Sequence, residues 1–307
     1  MLIALTGATG FLGRRLIPAL IAEGHSVRAL TRRPQPPTDG VTWIAGDLSN
    51  APALAELVDG ADAVVHAAAA LRGACHADFD VPNRLGTRAL VDAAKAGPAS
   101  RFILVSSLAA RAPALSHYAA SKHAAEDVVT SAGLARWMVL RPPAVYGPGD
   151  TATLPFFKAV RHGLAPRIGG GERPFSLIHV DDLISAIIFL LKTDEISNRL
   201  VEIDDGRENG YTLPQLFGMI GEALGKRPLP LVVPVPLLGV AARAGTAWCR
   251  LTGTVPMFTV EKLRELTAPD WVTRGPRLNE VGGWSPSIPA AEGLKATADW
   301  YRAARWL

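Results

Sequence analysis

The chain has 307 residues, and 49% of them are apolar, enough to build one large hydrophobic core or two joined ones. Its 32 Lys and Arg against 28 Asp and Glu leave a net charge of +4 with no block of five like charges, so composition gives no case for a nucleic-acid partner. The two cysteines, Cys75 and Cys249, make no disulfide framework and sit at no zinc-binding spacing, so no metal is expected.

The chain opens directly on an apolar strand without a basic leader, and a cytoplasmic setting is expected. In chain order, apolar runs predict strands at 2–6, 26–30, 42–45, 63–66, 102–106 and 137–140. Amphipathic stretches at 13–23, 53–58, 83–96 and 118–131 separate them. The strands lack polar alternation, as expected when helices cover both faces of a parallel sheet. After Gly147 proline and glycine become frequent. A strand at 177–180, a helix at 182–191 and a strand at 200–203 still follow, and a helix at 290–304 closes the chain. The expected fold is α/β: a Rossmann-type doubly wound parallel sheet with a smaller mixed α/β C-terminal substrate-binding region. Residues 1–147 plus about 178–206 form the dinucleotide-binding core, and 148–177 and 207–307 form the cap. Ligands of such sheets bind beyond the carboxyl ends of the strands, so the site is expected between core and cap. The apolar stretch 231–248 resembles a membrane helix in composition, but Pro234 and Pro236 interrupt its start and Arg243 lies inside it. A core or substrate-lining helix is expected there, with no stable membrane insertion.

The first strand runs into TGATGFLG, which places Gly7, Gly10 and Gly13 before a helix with the spacing G-x-x-G-x-x-G. Glycine permits the tight turn and a close approach of pyrophosphate, and the N–H groups at the helix start face the anion. Gly7, Thr9, Gly10, Phe11, Leu12 and Gly13 are therefore candidate cofactor contacts. At the end of the second strand, where a carboxylate would select NAD, the sequence has Arg32 and Arg33. Two guanidiniums suit the 2′-phosphate of NADP, with NAD as the alternative. Asp47 and Leu48 follow the third strand; Asp47 could face the adenine or cap its own loop.

Tyr118 and Lys122 lie four residues apart in YAASK and share one helix face. A nearby ammonium lowers the phenol's pKa from about 10 and makes it an acid/base for an alcohol or ketone. Ser107, at the end of the fifth strand, could orient the same oxygen. His66, His117 and His179 read more simply as a packed strand residue, a solvated loop residue and part of a helix start.

The motifs TGATGFLG, HAAA, NRLGT, VSS, YAASK, RPPAVYGPGD and HVDDL occur in one order along the chain. This set resembles the extended short-chain dehydrogenase/reductase family, its NAD-dependent epimerase/dehydratase group, over essentially the full length. The resemblance implies a catalytic triad of Ser107, Tyr118 and Lys122, with Tyr118 as acid/base and Lys122 also holding the nicotinamide ribose. It further implies that Ala67 and Ala68 pass close to the cofactor, that Pro142 lies near the nicotinamide, and that Asn83 lies on the ribose side of the site. It is compatible with a homodimer.

Two departures narrow the chemistry. Ser107 is followed by Leu108 and Ala109 instead of the acid pair that dehydratases use for elimination. Ala144 stands where sugar-nucleotide epimerases usually place an asparagine for the diphosphate. RPPAVYGPGD is more like the hydroxysteroid dehydrogenase and dihydroflavonol reductase branches, with the stretch 232–242 as a wall for a hydrophobic substrate. The leading expectation is an NAD(P)-dependent oxidoreductase acting on an alcohol or ketone. A sugar-nucleotide epimerase, with Arg173 available for a diphosphate, is the alternative. A non-catalytic cofactor-binding subunit is the third reading.

Overall fold

A computed structural model describes residues 1–97, 99–169, 171–252 and 258–307; the side chain of Cys249 lies outside the described residues. The chain divides into two compact units. The first comprises Met1–Pro142, Ile184–Glu202 and Gly275–Trp284, and the second Pro143–Leu183, Ile203–Arg274 and Ser285–Leu307.

The elements run β1 (Leu2–Thr6), α1 (Phe11–Ala22), β2 (Ser26–Thr31), β3 (Val41–Ala45), α2 (Ala51–Val58), β4 (Ala63–His66), α3 (His76–Asp80) and α4 (Gly86–Ala96). There follow β5 (Arg101–Val105), α5 (His117–Thr130), β6 (Trp137–Arg141), β7 (Ala144–Tyr146), α6 (Leu154–Arg161), β8 (Leu164–Ile168), β9 (Leu177–His179) and α7 (Val180–Lys192). The chain closes with β10 (Arg199–Glu202), α8 (Leu213–Leu224), β11 (Leu229–Val233), α9 (Val235–Thr252), α10 (Val260–Thr267), α11 (Leu278–Gly282) and α12 (Ala290–Ala303).

The first unit is built on a seven-stranded parallel sheet in the order β10-β6-β5-β4-β1-β2-β3. The order reverses between β1 and β4, which is where a doubly wound sheet opens a crevice at its carboxyl ends. Ile3, Ala4 and Leu5 of the central strand are wholly buried. One face is sealed by Leu54, Leu57, Leu90, Val91, Val128 and Val129 against Phe102 and Val139. The expected α/β doubly wound sheet is thus present.

The sequence and the structure differ at several points. The strand expected at 177–180 joins no edge of the main sheet; β9 pairs in parallel with β7, Ala144 opposite Leu177, inside the second unit. Residues 275–284, expected in the cap, lie in the first unit because Glu202 accepts from the Gly275 N–H at 2.9 Å and donates its own N–H to the Pro276 carbonyl. The helix expected over 83–96 begins with a π-helical turn, Val81–Leu85, before α4.

The second unit holds two parallel two-stranded sheets, β7 with β9 and β8 with β11. Its core gathers Tyr146, Phe157, Leu177, Phe217, Leu294 and Tyr301. The stretch 231–248 forms the end of β11 and most of α9, and it is not a core helix. Among its apolar side chains only Ala242 is fully buried, while Leu231, Val232, Leu237, Val240 and Trp248 are exposed. A single narrow face of α9 packs, and there Thr246 accepts from the Val260 N–H at the start of α10. Among the described residues no helix is long and apolar enough to cross a membrane.

Candidate active site

The turn after β1 is shaped by contacts a side chain would block. Gly7 has φ +75°, and a Cβ on it would lie 2.6 Å from the backbone of Ala67 and Ala68. A Cβ on Gly13 would collide with the Gly7 carbonyl and with Ala8, so this glycine lets α1 seat against the turn. Gly10 is different: it is exposed and would meet only the Gly7 carbonyl, at 3.2 Å. Helix α1 starts beside it with no side-chain cap and no acid in its first turn. Its leading N–H groups are therefore open to an anion, and the cradle fits a pyrophosphate. Thr9, Phe11 and Leu12 are partly exposed at the same mouth.

Arg32 and Arg33 follow directly on β2 and are both exposed. The Thr31 hydroxyl donates to the Arg33 carbonyl at 2.7 Å and fixes this corner. Asp47 caps its own loop, accepting from the Ser49 N–H at 2.8 Å and from the Ser49 hydroxyl. These hydrogen bonds, with Arg32 contributing, hold its carboxyl below the usual range. Leu48 packs on the main core, and its side chain fills the space a Cβ on Gly86 would need.

A buried polar chain runs from β1 to α5. Thr6 Oγ1 meets His66 Nδ1 at 2.6 Å, and His66 Nε2 meets Thr87 Oγ1 at 2.9 Å. Thr87 in turn donates to the Asn83 carbonyl. Asn83 accepts from the Ala70 N–H at 2.7 Å and donates to the Ala70 carbonyl at 3.1 Å and to Ser121 Oγ at 2.8 Å. Ser121 closes on the Tyr118 carbonyl at 2.8 Å. Burial pulls the His66 imidazole down to about 3, with the Lys122 charge adding to the effect, so it stays neutral at working pH. The packed reading of His66 therefore holds. Asn83, expected on the ribose side of the site, is 2% exposed and uses its oxygen and both amide hydrogens inside the protein. It clamps the strand extension that carries Ala67 and Ala68.

Ser116 caps α5 by accepting from the Ala119 N–H at 3.0 Å, which starts the helix just before Tyr118. Tyr118 is half-buried, with the Phe79 ring edge-on at 6.2 Å. Lys122, one turn on, is buried and donates from Nζ to the Val105 carbonyl at 2.8 Å. Burial pulls its ammonium down to about 8, and the Glu126 carboxylate works against that shift. Glu126 is itself buried, held by Arg141 through Nε at 2.9 Å and a second nitrogen at 2.6 Å, and by the Ser106 hydroxyl. Ser107 lies two residues beyond the end of β5 and accepts from the Ala109 N–H at 3.2 Å. The loop it begins is tied back by the Leu108 N–H, which donates to the Pro142 carbonyl at 2.8 Å.

In the first unit the glycine turn, Ala67, Ala68, Ser107 and Pro142 thus follow the carboxyl ends of β1, β4, β5 and β6, with Tyr118 and Lys122 on α5. In the second unit Ala144 is exposed on β7, and Arg173 is committed to the carbonyls of Ile168 at 2.8 Å and Thr267 at 3.3 Å. His117 lies edge-on to His76 at 5.4 Å. His179 is buried against Tyr146 and pairs with Asp181. Among the described residues no group of three or more His, Cys, Asp or Glu is placed to hold a metal. Sequence reasoning missed the Glu126–Arg141 pair; its signal was a glutamate one turn beyond Lys122.

The parallel sheet, the glycine cradle and the Tyr-Lys helix define a dinucleotide-dependent oxidoreductase of the extended short-chain dehydrogenase type. The chain belongs to the NAD dependent epimerase/dehydratase family, whose profile matches residues 3–203. It is 40% identical to a ceramide reductase of Caulobacter vibrioides, over 99% of this chain and 96% of that protein. It is 27% identical to a 2-alkyl-3-oxoalkanoate reductase of Stenotrophomonas maltophilia, over 96% of this chain and 98% of the relative. Among solved structures, the UDP-glucuronic acid 4-epimerase of Bacillus cereus in complex with NAD shares the fold, with a TM-score of 0.78 at 18% identity over 99% of both chains.

Proposed function

We propose that the protein reduces a ketone on a long-chain, ceramide-like lipid, using NADPH. The observation that carries this reading is the 40% identity to a ceramide reductase along nearly the whole chain. The 2-alkyl-3-oxoalkanoate reductase among the relatives supports a 3-oxo group as the reacting function. Arg32 and Arg33, exposed where a ribose carboxylate would stand for NAD, support NADP. The Ser107-Leu108-Ala109 run, without an acid pair, argues against a dehydratase.

The dinucleotide, when bound, supplies the hydride. Tyr118 gives its phenolic proton to the carbonyl oxygen as the carbonyl carbon is reduced, leaving a secondary alcohol and a phenolate that recovers a proton from water. The Lys122 ammonium stabilises that phenolate. The Ser107 hydroxyl already accepts from Ala109 and keeps its own hydrogen for the substrate oxygen. The Gly7–Gly13 turn and the α1 start hold the pyrophosphate. Asn83 positions Ala67 and Ala68 and does not contact substrate. The second unit supplies the substrate-binding region, with Arg173 holding its own loop. A cytoplasmic location and a homodimeric state complete the reading, on the family likeness.

Purified protein given NADPH and a 3-oxo-ceramide in detergent micelles is expected to oxidise the cofactor and release the matching alcohol, identified by mass spectrometry. No NADPH consumption, together with interconversion of a UDP-hexose and a UDP-hexose-dependent rise in melting temperature, would overturn the proposal in favour of an epimerase.

A further inference from the structure

The second unit carries an apolar surface that its own core does not use. Leu229, Leu231 and Val232 of β11 are exposed by 72%, 45% and 56%, and Leu237, Val240 and Trp248 of α9 by 60%, 63% and 60%. Among the exposed positions of α9, 237, 240, 241, 244 and 248 are apolar and recur every three to four residues, so they form one stripe on the side away from buried Ala242. Ordinary surface leucines are scattered singly; a continuous stripe next to an exposed strand is not ordinary.

Along the chain, the segment that builds this surface carries charge of one sign. Between Glu222 and Glu261 the sequence has no carboxylate side chain and carries Lys226, Arg227, Arg243 and Arg250. Lys226, Arg227 and Arg243 are exposed. An apolar stripe ending in tryptophan, on a segment whose own charged side chains are all cations, suits the boundary of an anionic bilayer: the apolar groups enter the acyl edge while the cations meet phosphate. A protein partner would need a matching acidic and apolar face, whereas the bilayer offers both over any area. Among the described residues no helix is long and apolar enough to cross a membrane, and the contact proposed is a peripheral one.

We propose that β11 and α9 dock the protein on an anionic phospholipid surface. This rests on the lipid-ketone reading in one respect: docking brings the enzyme to where a two-chain lipid resides.

The full-length protein is sedimented with vesicles of phosphatidylglycerol and phosphatidylcholine, and with phosphatidylcholine alone. The wild type is expected to pellet with the anionic vesicles, less so in high salt. The double variant Arg243→Glu/Trp248→Ser is expected to bind them roughly tenfold more weakly or worse, with NADPH affinity unchanged. Wild-type protein that stays in the supernatant, or a variant that pellets equally well, would overturn the proposal. So would a variant that falls from dimer to monomer in light scattering, since the face would then lie between copies. Vesicle binding without turnover of a lipid ketone upholds docking and removes the substrate reading; turnover in micelles without vesicle binding does the reverse.

Discussion

The Asn83 amide donates to the Ser121 hydroxyl at 2.8 Å, joining the π-helical turn before α4 to the helix that presents Tyr118 and Lys122. The same side chain holds both backbone groups of Ala70, so one residue fixes the position of the Ala67–Ala68 segment relative to the Tyr-Lys face. Replacing it leaves the Ala70 N–H and carbonyl and the Ser121 hydroxyl without these partners. Asn83→Ala is expected to cost about 3 kcal/mol in urea unfolding and to weaken dinucleotide binding. A stable variant with unchanged cofactor affinity would show that the clamp is idle.

The proposed preference for NADPH rests on Arg32 and Arg33. The double variant Arg32→Ala/Arg33→Ala is expected to raise the Kd for NADPH by about tenfold to a hundredfold and to leave that for NADH unchanged. Titration of cofactor fluorescence reads both. Equal losses for the two cofactors would mean that the guanidiniums do not read the 2′-phosphate.

In the proposed mechanism Lys122 sets an alkaline limit. Its ammonium is pulled down to about 8 by burial, so kcat/KM for ketone reduction is expected to fall as pH rises through that value. Glu126 opposes the shift, and Glu126→Gln should move the falling limb to lower pH. The same change breaks the buried pair with Arg141 and should cost about 3 kcal/mol. In Glu126→Met/Arg141→Met much of that stability should return while the pH limb stays displaced. A pH profile that follows stability instead of the charge at Glu126 would remove its positioning role.

His66 governs acid stability. Its folded pKa is about 3 against 6.5 for the free side chain, so between those values the unfolded chain binds a proton that the folded one does not. Stability conferred by the neutral ring is complete above pH 6.5 and is lost as pH falls, by up to about 1.4 kcal/mol per pH unit. His66→Gln should flatten that dependence in unfolding curves taken at successive pH values, even if it lowers stability at neutral pH.

What could be read from the sequence was local. Gly7, Gly10 and Gly13 declare themselves because turn and helix are adjacent in the chain, and Tyr118 with Lys122 because a helix turn is four residues long. The fold class followed from alternating apolar runs. Contacts made at a distance were not legible. Asn83 looked like a ligand residue because its partners, Ala70 and Ser121, are brought to it only by the fold. Glu126 gave half a signal, since Arg141 lies on another strand. The apolar stretch 231–248 invited a core assignment because composition does not say which helix faces find a neighbour; only the side around Ala242 does.

The most direct test of hydride transfer to a lipid ketone is a labelling experiment with NADPH carrying deuterium at both C4 positions and a 3-oxo-ceramide. The expected result is one deuterium on the new carbinol carbon for each NADPH oxidised, abolished in Tyr118→Phe although that variant still binds the cofactor. A product without deuterium on that carbon, or full turnover by Tyr118→Phe, would contradict the account.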